Sequence, residues 1–263
     1  MPIDLNITLT YDMAEPTDIL LQVEAAVIAE QTIGSSTLNV PGCEHFVRVA
    51  SHDQIGERIW LRRAGRLRID YVAQVAINRV IAAISTLPQI ALHQLPGETV
   101  QYLLDSHYCP ATKFQSFVDT EFGTLQGGAR ISAMCDWIRD NFTYQAGSSD
   151  GSTTALDSFV MRHGVCRDYA HVMIVLARAS CIPARFVSVY APDVTPPDFH
   201  AVAEVFLADD QGGGAWHLID PTGMATAADM VKIGVGRDAL DVAFLTAYGP
   251  VELIEQVVTV TRA

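Results

Sequence analysis

The sequence predicts an α+β fold in two parts. Three observations carry this. The first stretch alternates apolar and polar residues with the period of a half-buried strand, as in Ile3, Leu5, Ile7 and Leu9 against Asp4, Asn6, Thr8 and Thr10. The middle places Ile131, Met134, Cys135 and Ile138 at helical spacing. Short strand-like runs then follow the helices, the order expected of an α+β domain. A chain of 263 residues holds one large domain or two modest ones, and 49% hydrophobic content is enough for a sizeable core.

Residues 1–85 form the β-rich part. The segments 45–50 and 67–77 are apolar and rich in Val and Ile, and Pro41-Gly42, Asp53 to Gly56 and Ala64-Gly65 are turn signals between them. The pattern predicts a small antiparallel β-sandwich. Residues 86–98, with prolines at 88 and 96, read as a linker, and 99–263 as the second domain. Helices are expected over 99–105, 111–121 and 128–142. A further one spans 157–180, broken at His163-Gly164, and its second half is apolar all round apart from His171, the mark of a buried helix. Strands follow at 185–190, 200–207 and 215–220.

The net charge is −13, and the five arginines between Arg58 and Arg68 read as solvent-facing strand and turn positions, so a nucleic-acid partner is not expected. No apolar run reaches the length of a membrane span, and the N-terminus lacks the pattern of a signal peptide, so the expected compartment is the cytoplasm. Five scattered cysteines fit neither a disulfide framework nor a zinc site. No metal or cofactor is expected.

Cys166 opens the buried helix. Unpaired N–H groups and the positive dipole end favour a thiolate there, and the same N–H groups can receive an oxyanion. A cysteine nucleophile needs a base, and the base an orienting acceptor. The strands 200–207 and 215–220 are joined by Asp209-Asp210-Gln211-Gly212-Gly213-Gly214, a strong turn signal. If Leu207 pairs with Gly213, His200 lies opposite Asp220, and a slip by two leaves the pair within diagonal reach. The candidates are therefore Cys166, His200 and Asp220, with Tyr144 and Gln145 as oxyanion donors. Cys43, Cys109, Cys135 and Cys181 read as small buried apolar residues. His171 reads as a core histidine, and a Cys166–His171 metal pair lacks further ligands. His163 and His217 read as surface or sheet residues, and Asp168 as a partner of the helix dipole or of an arginine.

The stretch Gly164-Val165-Cys166-Arg167-Asp168-Tyr169-Ala170-His171 resembles the nucleophile motif of transglutaminase-like cysteine hydrolases. Ile182-Pro183-Ala184-Arg185, His200-Ala201 and Asp220-Pro221-Thr222 resemble the phrases that follow it, and Trp137-Ile138 with Tyr144 resembles the helix before the site. The likeness covers residues 130–223, and 1–80 loosely resemble the β-rich region of bacterial members. It implies a papain-like core, the Cys helix packed on an antiparallel sheet that carries His and Asp. It also implies thiol-dependent hydrolysis or acyl transfer on amide bonds through a thioester. The family often has Trp two residues after the His. Here that position, expected to line the site, is Val202. Members include inactive proteins, so a non-catalytic peptide-binding or scaffolding domain is the alternative. Expected partners are a peptide or amide substrate and, through the β-rich part, a second copy of the chain. That part is otherwise expected to shape or cover the cleft.

Overall fold

The structure, a computed structural model, describes residues 1–209 and 212–263. The chain opens with β1 (Ile3–Leu21), β2 (Gln31–Asn39), β3 (His45–Ala50) and β4 (Glu57–Ile77). Then come α1 (Gln115–Phe122), α2 (Gly127–Asn141), β5 (Thr143–Tyr144), α3 (Ala155–Met161), β6 (His163–Gly164) and α4 (Cys166–Ala179). The remaining strands are β7 (Ala184–Tyr190), β8 (His200–Ala208), β9 (Gly214–Ile219), β10 (Val231–Gly236), β11 (Leu245–Ala247) and β12 (Glu252–Arg262). The fold is α+β with an N-terminal antiparallel sheet.

The alternation in β1 has its expected result: Ile3, Leu5, Ile7 and Leu9 are buried and face a core shared with Leu67, Ile69, Tyr71 and Val75 of β4. The strands of this sheet hydrogen-bond as one six-stranded array. β1 and β4 run through both halves of it, with β2 and β12 flanking one half and β3 and β11 the other. The register of β1 against β4 shifts between Met13 and Thr17, where Met13 faces Gly65 at φ +71°. Ala64-Gly65, expected as a turn between strands, is thus an irregularity inside β4, because only glycine adopts that φ without strain.

The division into 1–85, 86–98 and 99–263 does not match the strand pairing. β11 and β12, from the end of the chain, complete the first sheet by pairing with β1. The expected linker is also pinned down. Leu87 is buried, its carbonyl accepts from Gly128 N–H at 2.9 Å, and Pro88 carbonyl accepts from Ala208 N–H at 3.0 Å. Residues 97–103 form a 3-10 run rather than an α-helix, and a 3-10 turn at 111–114 leads into α1.

The second sheet has the order β10-β7-β8-β9, all antiparallel. Helix α4 lies on one face, and its residues Asp168 to Arg178 are buried, as the all-round apolar pattern requires. Tyr190, Val231 and Ile233 of this sheet share a core with β1 and β4. Tyr190 Oη also donates to Val23 carbonyl at 2.7 Å.

A set of charges with a buried centre ties the second sheet to turns beside the strands of the first. Glu204, in the middle of β8, is fully buried between Arg185 of β7, 2.7 Å away, and Lys232 of β10. Arg185 reaches Asp53 at 2.7 Å, and Lys232 reaches Glu30 at 2.9 Å. Burial alone would raise the Glu204 carboxyl, but the two cations outweigh it and hold it down at about 2.

Candidate active site

The site begins with the short parallel pair β5–β6, which sets Thr143 against His163 and Tyr144 against Gly164. It brings Tyr144 to the start of α4, where Cys166 is the first helical residue and partly exposed. Asp168 caps this end by accepting from Val165 N–H at 2.8 Å, and its other oxygen holds Arg167 at 3.1 Å. The expected pairing of Asp168 with dipole and arginine is what the geometry contains. A Cβ at Gly164 would lie 2.6 Å from Asp168 Cβ, so glycine is the residue that lets the cap close.

His200 is the first residue of β8, and Asp220 follows the last residue of β9. The pairing differs from expectation by two: Leu207 faces Ala215, and Ala203 faces Ile219. The reason lies in the residues on either side of 210 and 211, which are themselves outside the described set. Gly213 lies outside the ladder. Its N–H donates to Asp209 Oδ1 at 2.8 Å, and its carbonyl accepts from Asp209 N–H at 3.1 Å. His200 and Asp220 are then diagonal neighbours, and His200 Nε2 meets Asp220 Oδ2 at 3.0 Å with both side chains buried.

Asp220 is fixed by donors that the sequence reading missed. Its Oδ1 accepts from Thr222 N–H at 2.8 Å and Thr222 Oγ1 at 2.7 Å. Its Oδ2 also accepts from Ala225 N–H at 2.9 Å. Its carbonyl accepts from Arg139 Nη2 at 2.7 Å. The Asp-Pro-Thr phrase carried a signal for the Thr222 bonds, since an Asp bonding the backbone two residues on is a common turn. Nothing local signalled Arg139, which arrives from α2.

Burial of His200 would depress its basicity. The hydrogen bond that His200 donates to Asp220, together with the neighbouring Cys166 thiol, outweighs burial and raises its pKa from 6.5 to about 9. Its second nitrogen, Nδ1, is buried with no hydrogen-bond partner among the described residues. For Asp220, burial pulls upward, but its bonds to His200, Thr222 and Ala225 hold the carboxyl below the usual range. Tyr144 is pushed up to about 12 by burial and by the charge of Cys166, whose thiol and N–H both bear on the phenol. Its hydroxyl therefore remains a neutral donor.

Among the expected residues, Tyr144 borders the thiol. Gln145 is exposed, and what it contributes is a backbone N–H to Gly164 carbonyl at 2.9 Å. Val202, expected to line the site, is instead fully buried in a cluster with Val187 and Leu218 on the sheet. Cys109 and Cys135 are buried as expected, but Cys43 is partly exposed and Cys181 exposed. Cys181 occupies the tight turn after α4 at φ +60°, where no core forms around it. His171 is a core histidine: its Nε2 accepts from Ala239 N–H at 3.1 Å, and its ring stacks on Tyr108. No group of residues able to hold a metal ion occurs among the described residues. No helix among them is long and apolar enough to cross a membrane.

Comparison with known proteins places this geometry. Residues 118–221 match the model of the transglutaminase-like superfamily. A solved structure from Cytophaga hutchinsonii, named as a candidate cysteine protease, superposes with a TM-score of 0.92 at 31% identity, over 99% of this chain and 90% of that one. The chain belongs to the transglutaminase-like superfamily. An uncharacterised protein of Mycobacterium leprae is 30% identical over 118 residues, which is 43% of this chain and 42% of the relative. One of Mycobacterium tuberculosis is 33% identical over 115 residues, 40% of this chain and 37% of the relative. The match thus spans well under half the length of these curated relatives.

Proposed function

We propose that the protein is a thiol-dependent hydrolase or acyltransferase acting on amide or peptide bonds, with Cys166 as nucleophile, His200 as acid–base and Asp220 as its orienting acceptor. The observation that carries this is the 3.0 Å bond from His200 Nε2 to a buried, multiply held Asp220, which leaves Nδ1 of the same ring for the thiol at the start of α4. The raised basicity of His200 favours a thiolate–imidazolium pair. The thiolate attacks the amide carbonyl, forming a C–S bond and an oxyanion. Cys166 N–H and the Tyr144 hydroxyl are the donors for that oxyanion. The imidazolium then gives its proton to the leaving amine as the C–N bond breaks, and a thioester remains. Water, or a second amine, attacks the thioester with His200 taking its proton, and the thiolate is regenerated. Asp220 keeps Nε2–H directed at itself throughout. A non-catalytic binding domain would have no need for this complete set.

The test uses the exposed Cys181 as internal standard. Brief iodoacetamide treatment near neutral pH, followed by peptide mapping, should label Cys166 well ahead of Cys181. The label at that position should vanish in Cys166→Ala. Equal rates at the two thiols would remove Cys166 from the role of nucleophile.

A further inference from the structure

One carboxylate close to His200 in the chain has no part in these steps. Asp198 lies two residues before His200 and is half-buried. Its Oδ1 takes two neutral donors, Phe199 N–H at 2.7 Å and Gln256 Nε2 at 2.5 Å. Its Oδ2 makes no hydrogen bond or ion pair with any described residue. The charge of Asp198 reaches Tyr144 and His200, both of which border Cys166. Cations on the neighbouring elements are engaged elsewhere: Arg262 of β12 with Asp193 and Asp229, and Arg167 of α4 with Asp168.

Partial burial pushes the Asp198 carboxyl up, and its hydrogen bonds and the charge of His200 offset this only in part. Contrast Glu204, whose burial is matched by two cations from its own chain. At Asp198 the protein supplies only neutral donors, to one oxygen, and these fix the direction of the other. Gln256 belongs to β12, so the first sheet, at its C-terminal strand, is what holds this carboxylate in place.

We propose that Asp198 is the specificity determinant of the site, taking a protonated amine that the substrate carries close to the amide attacked by Cys166. The proposal rests on the thiol-hydrolase reading above. A cationic group there makes the direct ion pair that no described residue makes with Oδ2, and a neutral or acidic group in its place does not. Gln256 is the positioning residue for it.

The reaction of Cys166 itself provides the probe. Each of two small alkylating reagents forms a C–S bond with the thiolate and expels halide: neutral iodoacetamide and cationic 2-bromoethylamine. The ratio of their rates at Cys166, cationic over neutral, is measured by peptide mapping and divided by the same ratio at Cys181. In the unmodified protein this normalised ratio should exceed one and fall as salt is raised. In Asp198→Asn it should drop about five- to tenfold, the size of a partly screened charge pair, and Asp198→Glu should restore most of it. A ratio that does not move in Asp198→Asn overturns the proposal. So do two rates that fall together, since that is the mark of a structural role. Should Asp198→Asn not fold, the salt series on the unmodified protein decides, and a salt-independent ratio overturns it. Failure of Cys166 to outpace Cys181 with iodoacetamide is a different result and refutes the nucleophile assignment itself.

Discussion

Strand β8 carries two buried charged sites four residues apart, and they are built on opposite plans. At Glu204 each charge has its counter-charge: Arg185 and Lys232 enclose the carboxylate, and Asp53 and Glu30 close the set from turns between the strands of the first sheet. At His200 one ring nitrogen is tied to Asp220 and the other has no hydrogen-bond partner among the described residues. A site whose charges are complete within the chain contributes to structure, whereas one left incomplete on a single side can exchange a proton with something that comes and goes. The same strand therefore braces the fold in its middle and holds a half-tied imidazole at its first residue.

The strongest way to break this comparison is Asp220→Asn. Turnover should fall by roughly two to four orders of magnitude with the fold retained, because an amide favours the wrong tautomer of His200. His200 is raised from 6.5 to about 9 chiefly against burial by its bond to Asp220. Its contribution to stability is therefore full below its unfolded value and is lost as pH rises through about 9. Melting curves should show the variant's deficit at about pH 6 and a smaller one at about pH 10. Turnover that survives with the fold intact would remove Asp220 from its role.

Glu204→Gln tests the other plan. It leaves two buried cations short of their counter-charge and should cost about 3–5 kcal/mol in urea unfolding. The folded fraction should still label at Cys166 at the normal rate. Because the Glu204 carboxyl is depressed from 4.5 to about 2, its contribution stands above the ordinary value and is lost as pH falls toward 2. The unmodified protein should accordingly lose stability in that acid window faster than the variant does. Slowed alkylation in a folded variant would mean that the two sites are not independent.

The mildest case is Arg139→Met, which removes the 2.7 Å bond to Asp220 carbonyl but leaves the carboxylate's own bonds in place. A loss of about 0.5–1.5 kcal/mol is expected, with turnover lowered several-fold and KM little changed. An unaltered kcat would show that the carboxylate bonds suffice.

Much of the site was legible because its signals are local. A thiol two residues after a glycine at a helix start, a histidine opening a strand and an Asp-Pro-Thr turn are each visible within a few residues. The hairpin register was misjudged by two, since Asp209 withdraws Gly213 from the ladder through bonds that no residue pattern announces. Arg139, Asp198 and the Glu204 network stayed hidden because their meaning depends on residues brought from other elements. β12 was missed for a related reason. Glu252 to Glu255 are all exposed, so the start of that strand shows no alternation, and its identity comes from pairing with β1.

That pairing has a consequence for how the chain is made. Thr10 and Glu255 bond across a separation of 245 residues, so β1 is synthesised long before the neighbour that covers its edge. At about 5–20 residues per second, the ribosome keeps that edge waiting for roughly tens of seconds. Cys166, His200 and Asp220 all emerge during the wait, but Gln256 does not. A nascent chain can thus hold Cys166, His200 and Asp220 before it has the strand that steadies Asp198, and β12, translated after all three, is the strand that both covers the edge of β1 and fixes that carboxylate.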